Sequence, residues 1–225
     1  MIGEAIRKPG LYEGVYSYRE AARLLGISVR RVARWADGYL FPLKHGWGYS
    51  TPVLQSRAHY KGVLTFAELM ELMFVREFVA LGVSLPHIRA TAEALAKEVG
   101  DFPFTRKQVL VGGRELLVRE TEQILQRADI GQLVADFAQD LAKHVEIDDA
   151  QVRRYYPPAF DRVIYLDRCI RGGEPVVSAY AIPTRVIYAL WQREQDPERV
   201  ADYFDIPVEQ VSAAIRYEGE WRISA

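Results

Sequence analysis

The stretch SYREAARLLGISVRRVARW, Ser17 to Trp35, leaves this chain few ways to fold. Ser17 followed by Glu20 has the spacing of a capping box, in which serine and glutamate side chains satisfy each other's backbone amides at a helix start. Ala21, Ala22, Leu24 and Leu25 give that helix an apolar face. Gly26 ends it, because glycine takes the left-handed conformation of a helix terminus without steric cost. Ile27 is expected to be the buried hinge of a short turn. Ser28 then caps a second helix, whose inward side is Val29, Val32 and Trp35. The pattern predicts a helix, a tight turn and a second helix inside 19 residues.

The second helix carries the chemistry. Arg30, Arg31 and Arg34 stand three and four residues apart and therefore share one solvent face. Duplex DNA would compensate them, since guanidinium groups reach phosphates and the major-groove edge of guanine. Ser28 and the first amides of the helix add a phosphate contact. Ser17 and Arg19, at the start of the preceding helix, join this candidate set. A solvated arginine face or another polyanion remain the alternatives. The net charge of -1 hides the asymmetry: residues 1–61 carry ten Arg and Lys against four Asp and Glu, whereas residues 62–150 carry nine against fifteen. After Trp35, glycines and prolines interleave with aromatic and basic residues. This reads as a two-stranded wing with Lys44, His45 and Arg57 facing phosphates, and with Tyr39, Phe41, Trp47 and Tyr49 packing the wing rather than stacking on bases.

Thr65 and Glu68 form a second capping box, opening a helix to about Ala80 with Phe66, Leu69, Met73, Phe74 and Phe78 in the core. A turn at GVSL leads to another helix with Pro86 in its first turn. YREAARLLGISVRRVARWADGYL, a basic wing, and then ALGVSLPHI, with Leu81, Gly82, Ser84, Leu85 and Ile88, together resemble the winged DNA-binding domain of MerR-type regulators over residues 16–95. The wing is longer and richer in glycine and aromatics than in typical members. The resemblance implies binding to double-stranded DNA.

In the middle, KQVLV, Gly112–Gly113 and RELLVRE predict a β-hairpin. A helix is expected from about Glu122 to Lys143, bent near Gly131, with Ile124, Leu125, Leu133, Phe137 and Leu141 as its apolar stripe. That stripe has no other obvious partner, which suggests a homodimer.

Near the end, PERVADYFDIPVEQVSAAIRY repeats the apolar grammar of the opening at a shift of 179 residues: Ala22 with Ala201, Leu25 with Phe204, Ile27 with Ile206, Val29 with Val208, Val32 with Val211. Asp196 caps the helix ahead of Pro197. The arginines are not repeated: Glu209, Gln210 and Ala213 stand where Arg30, Arg31 and Arg34 stand in the first copy. The second copy reads as a structural or protein-binding unit. Before it, RVIYL and PVVSAY predict strands, and Pro183 and Thr184 start a helix through Leu190. Residues 161–217, with Gly173, Pro175, Val176, Val177, Ala181, Ile182, Pro183 and Thr184, resemble a small family of unassigned function found in toxin–antitoxin operons. Together with the N-terminal part, this resembles antitoxins of the VapB type. That resemblance implies a PIN-domain ribonuclease toxin as partner, with Arg216 and Arg222 of an exposed tail as toxin-binding candidates. Service to the homodimer interface alone is the other reading of this region.

The expected fold is mainly α with small β elements: a winged helix-turn-helix in residues 1–98, a hairpin and helix for linkage or dimerisation in 99–150, and an antitoxin-like unit with the second helix-turn-helix in 151–225. No metal, cofactor or catalysis is expected. His45 and His59 have no ligand companions, and Asp161, Asp167, Glu174 and His144 have no diagnostic spacing. Cys169, the single cysteine, is expected to be partly buried. No apolar run is long enough for a membrane span, the N-terminus lacks a signal-peptide core, and a cytoplasmic protein is expected. The alternative function is a MerR-like transcriptional regulator that senses a small molecule.

Overall fold

A computed structural model describes residues 14–54, 61–111, 114–125, 128–148 and 150–223. The fold is mainly helical with small β elements, and it divides into two compact units, the first built chiefly from residues 15–143 and the second from residues 153–225.

In the first unit, β1 (Val15–Ser17) pairs antiparallel with β4 (Val63–Thr65), Tyr16 opposite Leu64. Each strand runs straight into a helix. Ser17 and Thr65 are at once strand ends and N-caps, and both make the full reciprocal capping box. Because the ribbon is antiparallel, with Ser17 opposite Val63 and Thr65 opposite Val15, α1 (Tyr18–Leu25) and α3 (Phe66–Ala80) leave it from opposite ends. After α1 come α2 (Val29–Asp37) and the wing strands β2 (Tyr39–Leu43) and β3 (Gly46–Ser50). Helix α3 is buried on nearly every side, as a helix apolar all round must be. Phe74 stacks on Phe104 with ring centroids 5.5 Å apart and meets the edge of Phe137 at 5.0 Å. α4 (Leu85–Val99) follows, ended by Gly100.

The central segment is helical where a hairpin was expected. Lys107–Val111 forms α5 and Arg114–Leu125 forms α6, while Gly112 and Gly113 lie outside the described residues. The alternation in KQVLV suggests a strand, but the buried positions are Val109, Leu110, Leu117 and Thr121, a helical spacing. A tertiary partner with a helical surface decides between the two periods. That partner is α7 (Ala128–Lys143), which lies along α6 and also touches α5 and α3. It begins later than Glu122 and runs through the buried Gly131 without a break. Its buried stripe is Ile130, Val134, Ala135, Ala138 and Leu141, while Leu133 is 49 % exposed. Much of the apolar surface of α7 is therefore spent inside this unit, with Leu133 left in solvent.

A four-stranded sheet follows in the order β5 (Val145–Asp148), β6 (Gln151–Tyr155), β7 (Ile164–Asp167), β8 (Val176–Val177). In the second unit, β7 and β8 pair antiparallel with Tyr165 opposite Val176. The last three helices are α8 (Thr184–Glu194), α9 (Pro197–Phe204) and α10 (Val208–Ile223). Thr184 Oγ1, itself buried, donates to the buried Glu218 carboxylate at 2.7 Å and ties α8 to α10. Among the described residues, no helix is long and apolar enough to cross a membrane.

Candidate nucleic-acid interface

The turn between α1 and α2 has the backbone the sequence predicts, with Ile27 half-buried rather than buried. Gly26 is left-handed at φ 63°, and its amide donates to the carbonyls of Ala22 and Arg23. The Ile27 amide donates to the Ala22 carbonyl at 3.0 Å, closing the helix end. Ser28 then caps α2, accepting from the Arg31 amide at 3.3 Å. Val32, Trp35 and Ala36 are buried; Val29 is 45 % exposed and not inward. Side chains point back toward a helix N-terminus, so that of Val29 projects past the first turn, where no element covers it.

Arg30, Arg31 and Arg34 are all exposed and share one groove of about 220 Å³ with Ser28, Trp35, Tyr39 and Leu85. No carboxylate is among these lining residues, so the positive field of the groove is uncompensated locally. The Arg34 guanidinium lies 4.7 Å from the centre of the Tyr39 ring, which orients it before any ligand arrives. Leu85 opens α4, and the positive end of that helix therefore borders the groove.

Several contacts hold this face rigid. Tyr18 Oη donates to Asp37 Oδ2 at 2.8 Å, joining the start of α1 to the end of α2. Arg76 of α3 donates to the Leu25 carbonyl at 3.2 Å, at the negative end of α1. The wing is tied at its base: Tyr49 Oη donates to the Asp37 carbonyl at 3.0 Å, and Arg89 of α4 donates to the Pro52 carbonyl at 3.1 Å and to Ser50 Oγ at 2.8 Å. Gly38 is required between α2 and the wing. Its φ is 75°, and a Cβ there would stand 2.5 Å from the Ser50 carbonyl oxygen.

Of the sequence-predicted residues, Ser28, Arg30, Arg31 and Arg34 come together in the groove. Lys44 and His45 are exposed and form the two-residue tip of the wing, where Leu43 faces Gly46. Arg19 is exposed on α1. Ser17 is engaged in its own cap, its Oγ donating to Glu20 Oε2 at 2.7 Å and accepting from the Glu20 amide at 3.2 Å. Arg57 lies outside the described residues. The aromatic residues of the wing are less buried than expected: Trp47 is 70 % and Tyr49 56 % exposed. Phe41 does pack, across the bare face of Gly48. A two-stranded ribbon has no second layer to cover its outer face, and apolar side chains there stay in solvent. Sequence reasoning missed Tyr39 as the support of Arg34, Leu85 as a groove wall and Arg89 as the clamp of the wing; no local signal marks residues that meet only in three dimensions.

The second copy repeats the helix end and turn of the first. α9 and α1 are both 8 residues long, and Asp205, left-handed at φ 52°, stands where Gly26 stands. Its amide donates to the Ala201 and Asp202 carbonyls, and the Ile206 amide to the Ala201 carbonyl at 3.1 Å. Asp196 caps α9, accepting from the amides of Glu198 and Arg199. Arg216 does not project from a tail. Its Nη2 donates to the Ala159 carbonyl at 2.7 Å, and its guanidinium lies 4.7 Å from the Phe160 ring centre. The chain around it is helix to Ile223, because the apolar repeat continues through the buried Tyr217. Arg222 is on this last turn, with its side chain outside the described residues.

The carboxylates weighed for catalysis are engaged elsewhere. Asp167, fully buried, binds Arg154 at 2.9 Å and accepts from the Cys169 amide at 2.8 Å, and Glu174 binds Arg185 at 2.7 Å. Cys169 is exposed rather than partly buried, because β7 ends at Asp167 and the thiol falls in the turn beyond it. Among the described residues, no group of three or more His, Cys, Asp and Glu side chains is placed to hold a metal ion.

Comparison with known proteins adds three findings. A family model described as "Protein of unknown function (DUF433)" matches residues 164–217, from β7 into α10. The chain is 28 % identical over 113 residues to a Mycobacterium tuberculosis protein named "Putative antitoxin VapB45", an alignment that takes in 48 % of this chain and 47 % of that protein. The chain thus spans about half the length of this curated relative. The crystal structure of Rv2018 from Mycobacterium tuberculosis shares the fold, with a TM-score of 0.69 at 19 % identity, covering 89 % of this chain and 96 % of that one.

Proposed function

We propose that this chain is the antitoxin of a toxin–antitoxin pair, which binds double-stranded operator DNA through α2 and the wing and neutralises a PIN-type ribonuclease through its C-terminal unit. The reading assigns no catalysis and no cofactor to the chain. The observation that carries it is the α2 groove, where three exposed guanidinium groups meet with no lining carboxylate. The toxin part rests on the likeness to a protein named an antitoxin. Two-fold reading of an operator calls for a homodimer. The exposed Val111 and Leu133 are apolar surface that such an interface would use.

In this arrangement α2 lies in the major groove, Arg30, Arg31 and Arg34 reach phosphates or guanine edges, and Lys44 and His45 carry the wing tip to the flanking backbone. Tyr39 holds Arg34 in place, so less rotamer freedom is lost on binding. The cavity between α3 and α4, lined by Leu54, Glu71, Val75 and Phe104 among others, is about 30 Å³, room for about one water.

The test is fluorescence anisotropy with the chain's own upstream DNA at several salt concentrations. Each phosphate contact contributes about -0.9 to the slope of log affinity against log salt. Replacing Arg31 and Arg34 by glutamate is expected to abolish operator binding. Unchanged affinity at fixed salt refutes the DNA reading. Copurification with the product of the adjacent gene tests the toxin reading separately.

A further inference from the structure

The two helix-turn-helix copies differ in charge at matched positions on one backbone. At the shift of 179 residues, Arg19, Arg23 and Arg30 are answered by Glu198, Asp202 and Glu209, and Gly26 by Asp205. Arg31 becomes Gln210 and Arg34 becomes Ala213. Glu198, Asp202, Asp205 and Glu209 are all exposed. Where the first copy presents cations to a polyanion, the second presents carboxylates. Phosphate is repelled from such a face, and a cationic surface is attracted to it.

A second observation is independent of charge. Tyr203 on α9 is 74 % exposed, and Tyr180, in the turn after β8, is 73 % exposed. Tyr180 and Ala181 are both left-handed, at φ 54° and 51°, without being glycine. The Ala179 amide donates to Gln210 Oε1 at 3.4 Å, which brings this turn against the first turn of α10. A strained turn held against α10 therefore presents a tyrosine to solvent instead of burying it. Exposed tyrosines ringed by charge have the composition of an interface centre.

We infer that the exposed surface of α9 and of the first turn of α10, carrying Asp202, Tyr203 and Glu209, with Tyr180 in the turn held against α10, is the docking surface for a protein with a positively charged, phosphate-binding groove. The inference rests on the antitoxin reading and identifies that groove as the substrate groove of the ribonuclease. A nuclease that holds single-stranded RNA needs cations along the backbone and aromatic or apolar platforms for the bases. Carboxylates and tyrosines on a rigid helical face complement both. The antitoxin then inhibits by filling the path of the RNA, and Arg216, already bound to Ala159 and Phe160, is not the inhibitory group.

The experiment uses the full-length chain and the product of the adjacent gene, with binding measured by calorimetry and inhibition by RNA cleavage. Three variants are compared with the parent: Asp202→Lys with Glu209→Lys, Tyr180→Gly, and Arg216→Ala. The double reversal is expected to weaken binding at least about 10-fold at physiological salt, and the parent's affinity to fall as salt rises. Tyr180→Gly relieves the left-handed backbone and is expected to weaken binding with no fall in melting temperature, which a merely structural role would not produce. Arg216→Ala is expected to leave inhibition intact. Parent-like binding by both the double reversal and Tyr180→Gly overturns this inference while the antitoxin reading stands. Failure of the parent chain to bind at all overturns the antitoxin reading and the inference with it. If the charge-dependent binding is instead to the α2 face of a second copy, seen as salt-sensitive self-association lost in the double reversal, the partner named here is wrong.

Discussion

Replacing Glu71 by glutamine is expected to remove a pH dependence built into the core of the first unit. Glu71 lies on α3, fully enclosed, with Phe104 N–H donating to Oε1 at 3.2 Å and Thr105 Oγ1 to Oε2 at 3.3 Å. Burial outweighs these bonds, the Thr105 amide and the nearby Arg106, and pushes the carboxyl up from 4.5 to about 8. The folded chain therefore keeps a proton that the unfolded chain releases once the pH passes about 4.5. Stability contributed by this group is whole below that pH and is lost as the pH rises to about 8. At about 1.4 kcal/mol per pH unit, the interval sets a ceiling of about 5 kcal/mol. Glutamine keeps the shape, accepts from Phe104 N–H and offers its own N–H to the threonine oxygen, but does not titrate. Urea unfolding at a series of pH values is the assay. Parent and variant should have similar stability near pH 4.5, and the variant should lead by a growing margin toward pH 8. The two proteins differ only at this residue, so the difference between their profiles isolates position 71. A variant that loses stability with pH as steeply as the parent refutes the reasoning.

Gly38→Ala should destabilise the wing by about 1–3 kcal/mol, because the new Cβ collides with the Ser50 carbonyl and the backbone is left-handed; a thermal melt and loss of DNA affinity together check it. Thr184→Val removes the buried hydroxyl that donates to Glu218 and should cost about 1–3 kcal/mol, read in the urea midpoint. Asp167→Asn leaves Arg154 with a neutral partner on β7 and should cost about 1.5–3 kcal/mol by the same measurement. Light scattering at micromolar concentration should show a homodimer without DNA, and a monomer contradicts the two-fold reading.

Local chemistry explains how much of the fold is legible without coordinates. Ser17, Glu20, Gly26 and Ser28 act within a few residues of themselves, and the helix starts and stops they dictate are where the structure has them. The same holds for Thr65 with Glu68, and for Asp196 ahead of Pro197. The 179-residue echo was legible for the same reason. Caps, turns and apolar spacing are short-range, and the repeated grammar produced a repeated backbone even with aspartate in place of glycine at position 205. The arginine face of α2 followed directly, since helical spacing alone puts Arg30, Arg31 and Arg34 on one side.

What only the tertiary structure decided were the choices in which two local readings compete or a distant element takes part. KQVLV and RELLVRE satisfy a strand pattern, yet α7 offers a helical surface to α5 and α6, and the burial of Leu110, Leu117 and Thr121 at helical spacing outweighs the alternation. Most of the stripe of α7, unpartnered in sequence, is buried where this helix meets α3, α5 and α6, and Leu133 stays in solvent. Arg216 reads as a tail cation until Ala159 and Phe160, 57 and 56 residues earlier, are folded beneath it. Tyr39 supports Arg34 only because Gly38 turns the wing back over α2. Backbone periodicity is a property of neighbours along the chain; which face finds a partner depends on contacts far apart in sequence, whose burial energy is settled only when the whole unit closes.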